Sequence, residues 1–148
     1  MVIHNILSID AYQLIHTNDS SLIIDVRSDL EHQIIGTPHV YLDRIILLEW
    51  MCQNSNSKYE FYHKLLNLIC KKYVSSLNTY TFEMDKIKLL HLLFICRSGV
   101  RSQNAAVLLR NYGFTNCYNI VDGMEGMKYG KGWIENKLPY FFNINKFI

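Results

Sequence analysis

Polar and apolar positions follow two periods along this chain. After Ser8-Ile9-Asp10, the residues Ala11, Leu14 and Ile15 are spaced for one helical face and predict a helix opening there. Leu22-Ile23-Ile24-Asp25-Val26 is a short continuous apolar run, the pattern of a strand covered on both faces. Ser28-Asp29-Leu30-Glu31 has capping-box spacing and predicts a short helix directly behind that strand. Val40-Tyr41-Leu42 reads as another brief strand. Ser57-Lys58-Tyr59-Glu60 reads as a second capping box, ahead of a long amphipathic helix carrying Tyr62, Leu65, Leu66, Ile69 and Tyr73. Residues 74–87 read as a polar connector, and Leu89 to Ile95 as the clearest buried strand. The helix behind it shows Ala105, Leu108, Leu109 and Tyr112 on one side and stops at Gly113, a residue suited to the left-handed position after a helix. Tyr118-Asn119-Ile120-Val121 is a last strand before the Gly-rich segment Asp122 to Gly132.

Strands alternating with helices predict an α/β fold, a parallel sheet with helices on both faces. In such sheets reactive groups gather beyond the carboxyl ends of the strands. Asp25-Val26-Arg27, Cys96 with its successors, and Asp122-Gly123 all fall on that rim.

Composition then narrows the class. The 148 residues are 49% hydrophobic and 19% charged, with 7 Gly and 2 Pro, which excludes a disordered or collagen-like chain and fits one domain over 1–148. A net charge of +2 is too small to predict a nucleic-acid or membrane-surface protein. The first residues lack the basic and apolar regions of a secretory signal. The four cysteines, Cys52, Cys70, Cys96 and Cys117, are widely spaced with no CxxC pair, so neither a zinc site nor a disulfide framework is expected. No metal or cofactor is implied, and the expected compartment is the reducing cytoplasm.

One segment carries chemistry: Cys96-Arg97-Ser98-Gly99-Val100-Arg101-Ser102, between the clearest strand and a helix. Cysteine acts as a nucleophile only as thiolate, and an unperturbed thiol near pKa ~8.5 holds little of that form at neutral pH. Three features favour the anion here. A helix N-terminus follows Cys96, and Arg97 and Arg101 are permanent cations. Gly99 allows successive N–H groups to curl inward as an anion-binding nest.

This loop resembles the active-site loop of the rhodanese superfamily, the single-domain sulfurtransferases. The resemblance runs from about Ile6 to Pro139. Asp25-Val26-Arg27 with Glu31 and Gly36 resembles the family's first signature. Asp122-Gly123-Met124-Glu125-Gly126, then Gly132-Trp133 and Leu138-Pro139, resembles its carboxy-terminal one. It implies a five-stranded parallel sheet flanked by helices, and a ping-pong reaction. Cys96 would take sulfane sulfur from a small anionic donor such as thiosulfate. The resulting persulfide would pass the sulfur to cyanide, a thiol or a protein acceptor. Arg97 and Arg101 would orient the donor, with Arg101 also bracing the loop.

Cysteine phosphatases and arsenate reductases of this fold place five residues between Cys and Arg. Only four separate Cys96 from Arg101, a ring better suited to one sulfur than to a phosphate. A non-catalytic relay or binding module is the other alternative. The family commonly carries Gly-His-Ile-Pro-Gly-Ala after its first signature. Gly36-Thr37-Pro38-His39-Val40 lacks the second glycine and the alanine, which leaves the local path after Gly36 open and does not touch the Cys96 loop.

The remaining features have mainly structural readings. Asp25 and Arg27 are read either as supporting groups that pair near the loop mouth or as a solvated strand end. Glu31 is read as the capping partner of Ser28. Residues 45–51 are unusually apolar, either a short helix packed on the sheet or a docking patch for a protein partner. The aromatic tail 140–148 either covers the domain's own helices or makes a homodimer contact. His91 is read as a satisfied core histidine, His39 as a surface one. Cys52, Cys70 and Cys117 are read as packing residues.

Overall fold

The computed structural model describes residues 2–77 and 84–142. Its centre is a five-stranded, wholly parallel sheet of β1 (His4–Ile6), β2 (Ser21–Asp25), β4 (Ile45–Leu47), β5 (His91–Ile95) and β6 (Asn116–Ile120), in the order β1-β6-β5-β2-β4. Side chains alternate across it, as the two-residue period of a strand requires. Leu22, Ile24, Leu92, Phe94 and Cys96 join the core on one face, while Ile23, Leu93, Ile95 and Ile120 join the core on the other. The first face is covered by α3 (Ser55–Leu77) and α5 (Val100–Asn111), with Ile87 of the short α4 (Met84–Ile87). The second is covered by α1 (Ser8–Thr17) and by Trp133 of α6 (Gly132–Glu135). α2 (Asp29–Ile35) leaves the end of β2 behind a complete Ser28–Glu31 capping box. Gly113 follows α5 at φ +101. Among the described residues, no helix is long and apolar enough to cross a membrane.

Four local readings change. Residues 40–42 form no strand: a 3-10 turn at Leu42–Arg44 leads into β4, so the strand lies at 45–47, where a helix was one of the two readings. Arg44 explains the shift. It is buried and donates to the carbonyls of Ile15, Asn18 and Ser21, which ties the turn to the end of α1 and delivers Ile45 beside Ile23. Of the apolar 45–51 stretch, Ile46 and Trp50 are buried and Leu47 and Met51 exposed.

α3 begins one turn before the second predicted cap. Asn54 Oδ1 accepts from the Ser57 amide and Ser57 Oγ accepts from the Asn54 amide, so Ser57 closes the box rather than opening it. The connector 74–87 is partly helical at both ends, and its residues 78–83 lie outside the described residues. β1, with only three residues of which two are exposed, shows no legible alternation.

After Gly36 the chain forms a short two-stranded pairing. Thr37–Pro38 (β3) pairs antiparallel with Tyr140–Phe141 (β7), and the His39 amide donates to the Pro139 carbonyl. Tyr140, Phe141 and Phe142 are exposed, and residues 143–148 of the aromatic tail lie outside the described residues.

Candidate active site

β2 and β5 pair in register, Asp25 opposite Ile95, so the two chains leave the rim side by side. The segment Asp122 to Gly126 runs beneath the loop that follows β5. There the Met124 amide donates to the Cys96 carbonyl (2.9 Å) and the Glu125 amide to the Arg97 carbonyl (3.0 Å). In a trans peptide the N–H points opposite to the C=O. The Arg97 and Ser98 amides are therefore turned away from that segment. Gly123 (φ +57) makes this approach possible, since a Cβ there would collide with the carbonyls of Cys96 and Arg97. Gly99 (φ +99) turns the chain into α5, and a Cβ on it would come within 2.6 Å of the Val121 carbonyl oxygen.

The first amides of α5 have no carbonyl a turn earlier, so the helix presents its partially positive end to the loop. Cys96 sits there, 1% exposed. The Gly99 amide donates to its Sγ at 3.1 Å, and Ser102 Oγ lies 3.2 Å from Sγ. Among the described residues one amide and one hydroxyl therefore meet the sulfur, a smaller set than the predicted nest of successive amides. Ser102 in turn donates to Asn119 Oδ1 (2.6 Å), and Asn119 Nδ2 donates to the Gly99 carbonyl (3.0 Å). This closes a ring of contacts through β6 and back to the loop.

Both loop arginines have carboxylate partners. Arg101 forms a two-pronged pair with Glu31, Nη1 to Oε1 at 2.6 Å and Nη2 to Oε2 at 2.9 Å. That guanidinium and the Ser28 cap hold the Glu31 carboxyl down at about 2, and Glu31 raises Arg101 in return. Glu31 is thus both the predicted cap and the brace of the loop. Arg97 is largely exposed and its Nε lies 3.2 Å from Glu125 Oε2. Val100 is also exposed, and Ser98 half-buried.

Asp25 and Arg27 are not a solvated strand end. Both are wholly buried and paired through Nε (3.0 Å) and Nη2 (2.7 Å), and Nη2 also donates to the Gly36 carbonyl. His32 Nε2 lies 3.2 Å from Asp25 Oδ1. Burial opposes the Asp25 charge, but His32 and Arg27 outweigh it and hold the carboxyl below its usual range. The pair supports the rim from beneath and does not touch Sγ.

Of four further polar residues in this region, Asp122 and Glu125 belong to the carboxy-terminal signature, while His32 and Asn119 had no role of their own in the sequence. His32 carried no signal beyond its place in a short helix. Asn119 did carry a signal, a polar residue inside an apolar strand. Asp122, also buried, accepts from the Ser8 amide (2.8 Å), the Ser8 hydroxyl (2.7 Å) and the Gly132 amide (3.0 Å). It therefore holds the start of α1 against the segment under the loop, and Ser8 is held from outside rather than acting as a cap.

The other candidates lie elsewhere. His39 is exposed against the Phe141 ring. His91 is half-buried at the opposite end of β5, with Nδ1 2.8 Å from the Tyr118 hydroxyl. Cys117 is buried and its thiol is pushed up to about 12, while burial also raises Cys52 and Cys70. Such thiols are poor nucleophiles. Among the described residues no three His, Cys, Asp or Glu side chains form a metal-binding group.

Comparison with known proteins agrees with this architecture. A rhodanese-like domain model matches residues 9–129. The uncharacterised protein RC0915 of Rickettsia conorii is 37% identical over 143 residues, covering 96% of this chain and all of that protein. The crystal structure of Rv0390 from M. tuberculosis shares the fold at TM-score 0.70 and 24% identity, over 97% of this chain and 100% of that one. The polysulfide-sulfur transferase homodimer from Wolinella succinogenes shares it at TM-score 0.63 and 24% identity, over 96% and 80%. With the family model spanning most of its length and a glycine-turned cysteine loop at the end of the central strand of a five-stranded parallel sheet, this chain belongs to the rhodanese-like domain family.

Proposed function

We propose that the chain is a sulfurtransferase that carries sulfane sulfur on Cys96. The observation that carries this reading is the meeting of the Gly99 amide and the Ser102 hydroxyl on one sulfur at the N-terminus of α5. The Gly99 amide, joined by Ser102 once its hydroxyl proton turns from Asn119 to the sulfur, stabilises negative charge there, whether thiolate or terminal persulfide, without a metal. The Cys96 thiolate attacks the outer sulfur of the donor, the donor's S–S bond breaks, and the leaving group departs with the electron pair. A nucleophilic acceptor then attacks the outer sulfur of the Cys96 persulfide, and the Cys96 thiolate leaves.

The charge pairs bear on the donor. Arg101 is committed to Glu31, so orientation of an anionic donor such as thiosulfate falls mainly to the exposed Arg97. That commitment, with the four-residue spacing, also speaks against a phosphatase, which needs its loop arginine free for the phosphoryl oxygens. The relay module is the second reading, favoured by the 1% exposure of Cys96. A relay domain would open its loop only against a partner.

Mass spectrometry of the purified protein after treatment with thiosulfate or polysulfide tests both. One sulfur atom added to the Cys96 peptide, with turnover lost in Cys96→Ser and kept in Cys52→Ser, Cys70→Ser and Cys117→Ser, is the expected result. Turnover that survives Cys96→Ser overturns the assignment. Absence of sulfur on Cys96 with every small donor, together with loading from a persulfidated protein, selects the relay.

A further inference from the structure

The hydrogen bonds around Cys96 have a direction that their distances alone do not show. The Gly99 carbonyl can only accept, so the Asn119 atom facing it must be the Nδ2 amide. Asn119 Oδ1 then faces Ser102, and since a carbonyl oxygen cannot donate, the single hydroxyl proton of Ser102 lies on the 2.6 Å contact to Oδ1. What Ser102 turns toward Sγ, 3.2 Å away, is a lone pair. A lone pair suits an S–H donor and repels a thiolate. Ser102 and Asn119 are both buried, so water is not at hand to replace either partner.

We propose that Asn119 is a positioning residue that holds Ser102 as an acceptor and so keeps resting Cys96 as the thiol. When the thiol gives its proton to a solvent base, the Ser102 O–H rotates from Asn119 Oδ1 to Sγ and becomes a donor to the anion. Asn119 Oδ1 is left without that bond. The thiolate is thereby reached at a cost set on β6 rather than in the loop itself. The consequence for turnover rests on the reading of Cys96 as the sulfur carrier, whereas the protonation device does not.

The test uses the intact chain and follows Cys96 by peptide mass. Asn119→Leu leaves the Ser102 proton no acceptor but the sulfur. Its Cys96 iodoacetamide alkylation profile should move to lower pH by about one unit, with roughly tenfold faster alkylation below the midpoint, the size expected for one buried hydrogen bond no longer broken. In Ser102→Ala/Asn119→Leu the profile should match that of Ser102→Ala. An unmoved or raised profile in Asn119→Leu overturns the proposal, as does an equal drop on the Ser102→Ala background.

A second measurement does not depend on how Asn119→Leu folds. The S–H stretching band of Cys96 in the native chain, isolated by difference from Cys96→Ser, should lie in the hydrogen-bonded range. It should move to the free-thiol range in Ser102→Ala. A missing band, or one unchanged in Ser102→Ala, overturns the proposal. Failure of the sulfurtransferase reading is distinguishable from both: it appears as Cys96 that takes no sulfur from any donor, whatever its S–H band and alkylation profile.

Discussion

The loops behind β2 and β5 leave adjacent strands at the same rim, in register, and put that position to opposite use. Behind β2 the Asp25 carboxylate is spent on neighbouring side chains and backbone. The Asp25 carboxylate takes the Arg27 side chain and backbone amide, with His32 beside it, all shielded from water. Behind β5 the carbonyls of Cys96 and Arg97 are spent on Met124 and Glu125, the amides on the other side of those peptides turn away from that segment, and the next amide, that of Gly99, donates to the sulfur. Every parallel strand end offers such donors. A neighbouring carboxylate of the chain consumes them after β2, while after β5 the carboxylates are drawn off to the arginine side chains. An interior ion pair results in one place, and in the other a loop whose Gly99 amide donates to a buried cysteine sulfur.

The largest expected effect breaks the buried side of this comparison. Asp25→Asn leaves the Arg27 guanidinium buried without its counter-charge and should cost about 3–5 kcal/mol in urea denaturation. A loss below about 1 kcal/mol would mean that the pair is not committed to the fold as described. Next comes the loop. Gly99→Ala must relieve both a left-handed φ and a clash with the Val121 carbonyl, so it should cost more than about 1 kcal/mol. It should also cut sulfur loading of Cys96, because the amide that donates to Sγ moves with the turn. Native loading in that variant would separate the Gly99 amide from function.

The smallest effects sharpen the contrast at the surface. Glu31→Gln keeps a capping side chain but removes the charge facing Arg101. Since Glu31 is held from 4.5 down to about 2, the native chain's advantage over this variant should be complete above 4.5 and vanish as the pH falls through about 2. Partial exposure keeps it within about 1 kcal/mol. Glu125→Gln, at the more exposed Arg97 pair, should change stability by less than about 0.5 kcal/mol. Urea melts of the three proteins between pH 2 and 7 read both.

Much of the frame was legible before the fold. The apolar run at 22–26, the Ser28–Glu31 box and the stop at Gly113 stand where their patterns place them, and the run at 89–95 yields its strand from His91 on, with Leu89 in an exposed turn. Those signals are local, so a few residues suffice to carry them. The strand at 45–47 was not legible, because its position depends on Arg44 reaching three carbonyls of residues 15–21. The second cap was misplaced because Asn and Ser can each take either role in a reciprocal cap.

The candidate site divides along the same line. The amino-acid sequence alone determined that a cysteine stands between a buried strand and a helix, followed by a glycine and two arginines. Periodicity, chain direction and the backbone freedom of glycine act within a single turn of chain. Only the tertiary structure decided which carboxylate each arginine meets, that Asp122 holds Ser8 from 114 residues away, and that Asn119 directs the proton of Ser102. Those pairings depend on strand order and register, which place residues distant in sequence within hydrogen-bond reach and which no short stretch of sequence encodes.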